Sequence, residues 1–165
     1  MGPACETTVV YHGTDTVFDV VDLAHSKNNR DFGTGFYTTT ISAQAEDWAR
    51  SVRVRNGSKG AYVQVYELAL TGLNVLRFDG LTIEWLDLVK ENRSCGGCRH
   101  GYDAVIGPVA NDNTLLTVNR YIQGVYTAEE AIRRLAYFKA NDQVSLHTPK
   151  ALEQIRLVRR YSVDE

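Results

Sequence analysis

Proline, methionine and cysteine are all scarce: three, one and three among 165 residues. An odd cysteine count does not close a disulfide framework, so a reduced, cytoplasmic chain is expected. Long apolar runs are missing too. None approaches the roughly 20 residues a membrane helix needs. No charge of one sign dominates: 18 Lys and Arg stand against 20 Asp and Glu, a net charge of -2, which gives no bulk attraction to nucleic acid or an anionic membrane. The opening residues MGPACETTVVYHG lack the basic and apolar regions of a secretory signal. Glu6 stands where a myristoylation signal has Ser or Thr. Repeats and low-complexity segments are also absent.

What is present is ordinary for a globular domain: 44% hydrophobic and 23% charged residues. The length favours one domain over residues 1–165. Cys95 and Cys98 form CGGC, with His100 close behind. Half a zinc site or a redox pair has this form, but a structural zinc needs four ligands and no second pair exists, so a glycine-rich surface loop is the plainer reading and no metal is expected.

Along the chain, Thr7–Gly13 is β-branched and aromatic and reads as a strand. Residues 14–31 read as a long loop. Gly35–Thr40 is a second strand. Ser42 is expected to cap a helix over Ala43–Arg55, with Ala45, Trp48, Ala49 and Val52 on one buried stripe. Ala61–Leu70 alternates as a strand, and Leu73–Phe78 is a short one. Leu81–Arg93 is an amphipathic helix, and Tyr102–Val109 is a buried strand ended by Gly-Pro. Residues 112–124 are helical, with Leu115, Val118 and Ile122 inward and Gly124 closing. Thr127 caps the next helix, with Glu130 at the capping-box position. Asp142–Thr148 is a strand, Pro149 opens a short helical turn, and IRLVRRYSV is a last strand with a basic exposed side. Strands and helices mix irregularly, which makes the class α+β.

The stretch DFGTGFYTTTISAQAEDWA carries the most chemistry. His12-Gly13 ends one strand, Gly-x-Gly-Phe-Tyr enters the next, and Trp48 follows Tyr37 by eleven residues on a helix. A glycine lets a ligand approach main-chain N–H and C=O groups. Tyr37 and Trp48 offer flat faces for stacking. A planar ring bearing a carboxamide and joined to a ribose would use all of these groups. Taken alone, Trp48 also fits a core position on its helix, and His12 a structural histidine.

These residues resemble the nicotinamide-binding core of the ADP-ribosyltransferase superfamily, in its diphtheria-toxin and poly(ADP-ribose) polymerase branch. The chain is more closely similar to a bacterial family in that superfamily that shows YHG, DFGxGFY, EWLDxVxxNR, YDxVIGPVANDxT, EEAIxRL and DQxxxHT in this order. The resemblance covers nearly the whole chain. It implies a mixed, mainly antiparallel split sheet with flanking helices, and NAD as the substrate. It implies that His12 bonds a ribose hydroxyl, that the Gly13 backbone pairs with the carboxamide, and that Tyr37 and Trp48 sandwich the ring. Thr14 and Gly35 lie in the same motifs, and Arg30 would meet the diphosphate. Asn28 and Arg30 fit a solvated loop equally well. Asn111 and Asp112 sit in a loop after a buried strand, and Asp112 fits the cap of the next helix.

The branch places a catalytic Glu at the start of a late strand. Here that position is Gln143, which can exchange hydrogen bonds with a ribose but carries no charge. The expected catalytic set is His12, Tyr37 and Gln143. A strand-edge polar role for Gln143 stays open. From charge alone, Gln143→Glu is expected to preserve or raise NAD cleavage. The implied activity is transfer of a single ADP-ribose to a macromolecular target, protein or nucleic acid, as in a bacterial toxin or effector, with a neutralising antitoxin protein as partner. The alternative is a catalytically weak module that binds a nucleotide, nucleic acid or partner without turnover. Arg133, Arg134, Lys139, Arg156, Arg159 and Arg160 suggest a locally basic face, or a solvated one.

Overall fold

The computed structural model describes residues 7–23, 32, 34–95, 101–109, 112–135 and 141–163. Seven strands and five helices are described, in the order β1 (Thr7–Thr14), β2 (Phe36–Thr38), α1 (Ser42–Asn56), β3 (Tyr62–Ala69), β4 (Val75–Arg77), α2 (Ile83–Cys95), β5 (Ala104–Gly107), α3 (Asp112–Ile122), α4 (Ala128–Leu135), β6 (Gln143–Leu146), α5 (Pro149–Leu152) and β7 (Ile155–Ser162). The strands form two sheets, ordered β1-β3-β7 and β2-β6-β5-β4. The first is antiparallel throughout. In the second, only β4 and β5 run parallel. The class is α+β, with mainly antiparallel pairing.

Among the described residues, the two sheets meet at one isolated bridge, Tyr11 to Thr39. There the Tyr11 amide donates to the Thr39 carbonyl at 2.8 Å, and the Thr39 amide donates to Tyr11 at 2.9 Å. Residues paired across an antiparallel junction share a face, so Tyr11 and Gly13 of β1 look out on the same side as Thr39 and Tyr37.

Three apolar clusters fill the layers. One buries Val10, Phe36, Tyr66, Leu68, Val144 and Leu146 between the sheets and α5. A second packs Ala45 and Ala49 of α1 on Val63 and Val65 of β3. The third gathers Phe32, Trp85, Leu86, Val89, Val105, Val118 and Leu135 where α2, α3 and α4 meet the second sheet. Strand β3 is therefore covered on both faces. The alternation read from its sequence sorts residues between two cores, not between core and water.

The ends of α1 show how local chemistry and tertiary contacts divide the work. Gly57, at φ 65°, closes the helix in the left-handed region, its amide reaching back to the carbonyls of the last turn. At the other end the expected Ser42 cap is displaced. The N-cap is Ile41, which has no capping side chain; its carbonyl takes the amides of Gln44 and Ala45 instead. The cap expected at Thr127 is present, its hydroxyl accepting from the Glu130 amide at 3.2 Å. Thr148 caps α5 in the same way at 3.1 Å, and Pro149 takes the first helical position.

No described helix is long and apolar enough to cross a membrane. The basic face expected at the C-terminal end is answered from within the chain. Arg156 pairs with Glu67 at 2.6 Å and Arg160 with Asp19 at 2.6 Å. Arg159 lies over the Tyr161 ring at 5.0 Å, and Glu130 takes both Arg133 and Arg134. Lys139 lies outside the described residues.

Candidate functional site

The seam between the sheets gathers most of the candidate residues. His12 lies on β1 opposite Gln64 of β3. Its Nδ1 is 2.7 Å from the Tyr37 carbonyl. A carbonyl only accepts, so that nitrogen carries the proton. The ring rests on Phe36, with centroids 4.4 Å apart, and meets the edge of Phe18 at 5.6 Å. Beneath it, buried Gln64 accepts from the Phe18 amide at 3.0 Å and donates to the Tyr66 hydroxyl at 2.6 Å. Burial pushes the Tyr66 phenol above its ordinary pKa, against the Gln64 bond, which lowers it. His12 is thus fixed from three sides, and through Phe18 it is tied to the chain that leaves β1.

Gly13 has a packing reason to lack a side chain. A Cβ there would lie 2.2 Å from the Ala45 carbonyl oxygen and 2.9 Å from the Ala49 amide. The helix α1 therefore rests directly on the strand. Main-chain groups alternate sides along a strand, so the Gly13 amide and carbonyl share the edge of β1 with those of Tyr11, the edge turned toward β2. Continuing the Tyr11–Thr39 register by two residues sets Gly13 opposite Tyr37. Thr14, at the end of β1, uses its hydroxyl to turn the chain, bonding the Thr16 amide and carbonyl at 3.1 and 2.9 Å.

Tyr37 pairs with Ser145 on β6. Its hydroxyl accepts from the Phe32 amide at 3.0 Å, and its ring belongs to the layer beneath α2–α4, edge-on to His147 with centroids 6.2 Å apart. The ring lies on the opposite face of the seam from that of His12, so these two residues are joined through the Tyr37 carbonyl. Gly35 serves this layer: a Cβ on it would stand 2.6 Å from His147 Nδ1. That imidazole binds the Thr34 carbonyl with Nδ1 and the Ser145 hydroxyl with Nε2, both at 2.7 Å.

Trp48 is 39% exposed and does not belong to the core; the buried stripe of α1 is Ala45 and Ala49. Arg55 lies over its ring at 5.2 Å. Residues four apart share a helix face, so Trp48 stands one turn beyond Gln44. The Gln44 side chain grips the Asp142 backbone, donating to its carbonyl at 2.7 Å and accepting from its amide at 3.2 Å. This stripe of α1 thus faces the second sheet. The Asp142 carboxylate in turn accepts from the Thr39 hydroxyl at 2.5 Å, the Thr40 amide at 2.9 Å and the Thr40 hydroxyl. On sequence, Asp142 has no role of its own beyond opening the strand and the DQxxxHT motif. It ties β2, α1 and β6 together at the seam, work that a loop-side Asp ahead of a strand does not announce.

Gln143 opens β6, an interior strand of its sheet, and is 6% exposed. The strand-edge role left open from sequence does not apply. Its Nε2 donates to the Pro108 carbonyl at 3.2 Å, which also accepts from the Trp85 indole at 2.8 Å. It lies on the face shared by Tyr37 and Gly13, and continuing the Thr38–Val144 register by one residue sets it opposite Thr39. Asn28, Arg30, Cys98, His100 and Asn111 lie outside the described residues. The helix α3 begins at Asp112. Among the described residues no group of three or more His, Cys, Asp or Glu is placed to hold a metal ion.

A model of the family described as "Protein of unknown function (DUF3990)" matches residues 8–157. No curated protein and no solved structure matches the chain.

Proposed function

The chain belongs to the DUF3990 family, and we propose that it is a NAD-dependent mono-ADP-ribosyltransferase. The observation that carries this reading is the register of the seam. Next to the Tyr11–Thr39 bridge between the sheets, the β2-facing edge of Gly13 lies opposite Tyr37, and His12 is held by the Tyr37 carbonyl at 2.7 Å. The residues fit an amide-bearing flat ring. An edge with one N–H and one C=O matches a carboxamide, which has a donor and an acceptor to offer in return. Tyr37 on β2 and half-exposed Trp48 on α1 supply aromatic faces on that side of the seam.

In this reading NAD supplies the ADP-ribosyl group and nicotinamide departs. Gly13 orients the carboxamide, His12 bonds a ribose hydroxyl, and Gln143 offers its amide oxygen to the nicotinamide ribose. The ADP-ribosyltransferase-like fold suggested by the motifs accords with two mainly antiparallel sheets that meet at the Tyr11–Thr39 bridge. The acceptor is a macromolecule, protein or nucleic acid, and the role is that of a toxin or effector with a neutralising protein partner, acting in the cytoplasm.

A second reading is favoured by one observation: Gln143 is buried, neutral and already bonded to Pro108. The chain would then be a module that binds nucleotide or a partner without turnover. Nicotinamide release from NAD, with the protein alone and with cell lysate, separates the two. Release above a His12→Ala control supports transfer. NAD binding without release leaves the module, and the lack of both removes the NAD reading. Labelled NAD in lysate, followed by protease or nuclease digestion, assigns the acceptor class.

A further inference from the structure

The Gln143 side chain sits in a socket with one fixed wall. The Pro108 carbonyl oxygen takes two donors, the Trp85 indole N–H at 2.8 Å and the Gln143 amide N–H at 3.2 Å. Trp85 is wholly buried. It rises from the first turn of α2, where the Thr82 hydroxyl receives its amide at 3.1 Å. The next residue along, Val109, is clamped as well. The Asn141 side chain accepts from the Val109 amide at 2.8 Å and donates to its carbonyl at 3.3 Å. Asn141 lies two residues before Gln143, so the end of β5 and the start of β6 are bonded to each other on both sides of Pro108. The carbonyl is in no position to swing away.

A fixed acceptor determines what can stand beside it. An amide presents –NH2 to Pro108, and its planar geometry then directs Oε1 the other way. A carboxylate is acceptor-only and would set a negative oxygen against the carbonyl oxygen in a desolvated place. A protonated carboxyl group restores the match, its O–H donating where the amide N–H does now. The neighbouring Asp142 carboxylate, held by Thr39 and Thr40, adds a second negative charge to the penalty.

We propose that Trp85, Pro108 and Asn141 make the first position of β6 specific for a neutral amide, so that Gln143 meets its ligand as an oriented hydrogen-bond acceptor and not as a charge. Trp85 and Asn141 are positioning residues. The proposal rests on the reading of Gln143 as ligand-facing, and it reverses the expectation drawn from charge alone: a Glu here impairs the site at neutral pH.

The test is melting temperature against pH for wild type, Gln143→Glu and Gln143→Met, together with nicotinamide release from NAD. Relative to wild type at each pH, Gln143→Glu is expected to melt at least about 4 °C lower near pH 8. The deficit should shrink by about half or more toward pH 4.5, as the carboxyl takes up a proton. The sign follows from linkage: a Glu whose folded pKa is raised destabilises above that pKa and ceases to do so below its unfolded value. Gln143→Met, which has neither donor nor charge, should show a deficit that does not change with pH. Release by Gln143→Glu should fall at least tenfold near pH 8 and recover in part on acidification. Should Gln143→Glu fail to fold near pH 8, recovery of the fold near pH 5 supports the proposal. Failure at both pH values, with Gln143→Met folded, overturns it, as does a pH-independent Gln143→Glu deficit. Absence of NAD binding and release in the wild type sinks the transferase reading alone, because the melting profile still decides the amide preference.

Discussion

Gly13→Ala puts a single methyl group between β1 and α1. Its Cβ would stand 2.2 Å from the Ala45 carbonyl oxygen and 2.9 Å from the Ala49 amide. Both are backbone atoms in the middle of a helix, so no side chain can turn aside. Ordinary contact begins near 3.4 Å, so the helix has to rise by about 1.2 Å, the difference between 3.4 and 2.2. Overpacking costs ~1–3 kcal/mol, and with backbone on the far side the upper end applies, about 3 kcal/mol. With a urea slope near 2 kcal/mol/M, the unfolding midpoint should drop by about 1.5 M at unchanged slope. The same lift separates Trp48 from the seam and strains the Gln44–Asp142 grip, so NAD affinity should fall in protein that is still folded. Gly57→Ala is the control. That residue sits at φ 65° with open space around it, so its cost is left-handed strain alone, ~1–2 kcal/mol, with NAD affinity unchanged. A Gly13→Ala protein within about 0.5 kcal/mol of wild type would refute the seating of α1 on β1 and, with it, the packing account of the seam.

Trp48→Ala should weaken NAD binding by about 1 kcal/mol or more through loss of a stacking face, while thermal stability changes little because the ring is half-exposed; calorimetric titration reads the first and a melt the second. Tyr37→Ala is the poorer probe, since it also removes the acceptor of the Phe32 amide. Asp142→Ala strips three bonds from the end of β2 and should cost about 2 kcal/mol in a denaturant titration; a neutral result would deny it the tie between β2 and the start of β6. Tyr121 donates to Asp87 at 2.5 Å, and that bond pushes its phenol up to about 12. The raised value adds stability that is present below pH 10 and lost as pH climbs toward 12, so Tyr121→Phe should flatten the alkaline limb of a melting profile. On the acid side, Asp103 is held below its ordinary range by the Asn74 amide and the Thr148 hydroxyl. Its contribution is present above about pH 4 and disappears as pH falls further, so Asp103→Asn should flatten that limb.

What was legible in the sequence follows how local the physics is. The Thr127–Glu130 cap and the Pro149 start are decided within a few residues, and they stand where the sequence puts them. The strand at 62–69 was legible from its alternation, but not its double burial, because the partner of its second face is α1, brought over by the chain. Ser42 was misread as a cap because Ile41 is supported instead by Thr39, whose hydroxyl accepts from its amide at 3.0 Å and is itself tied to Asp142, about 100 residues on. Trp48 looked apolar enough for the core, yet the helix meets the strand through alanines, and an indole has no room between them. Sheet order is invisible locally, which is why a strand-edge role stays open for Gln143 on sequence alone although β6 lies between β2 and β5. Of the candidate site, His12, Gly13 and Tyr37 were proposed from motif; His147 lies in DQxxxHT but drew no role, and Gln64, Asn141 and Ser145 drew none either, since each acts on a carbonyl, amide or hydroxyl that only the fold brings near.

The main-chain edge at Gly13 has a consequence for how this protein can change. An amide N–H and its carbonyl are the same in every residue but proline, so no ordinary substitution at that position erases them. Whatever the edge recognises is read by atoms outside the reach of side-chain variation. Variation reaches that edge through its spacing, by moving one strand against the other through α1, Asp142 or the layer around His147. A substitution that leaves every neighbouring side chain of the edge in place can therefore still act on it, by changing the distance between β1 and β2.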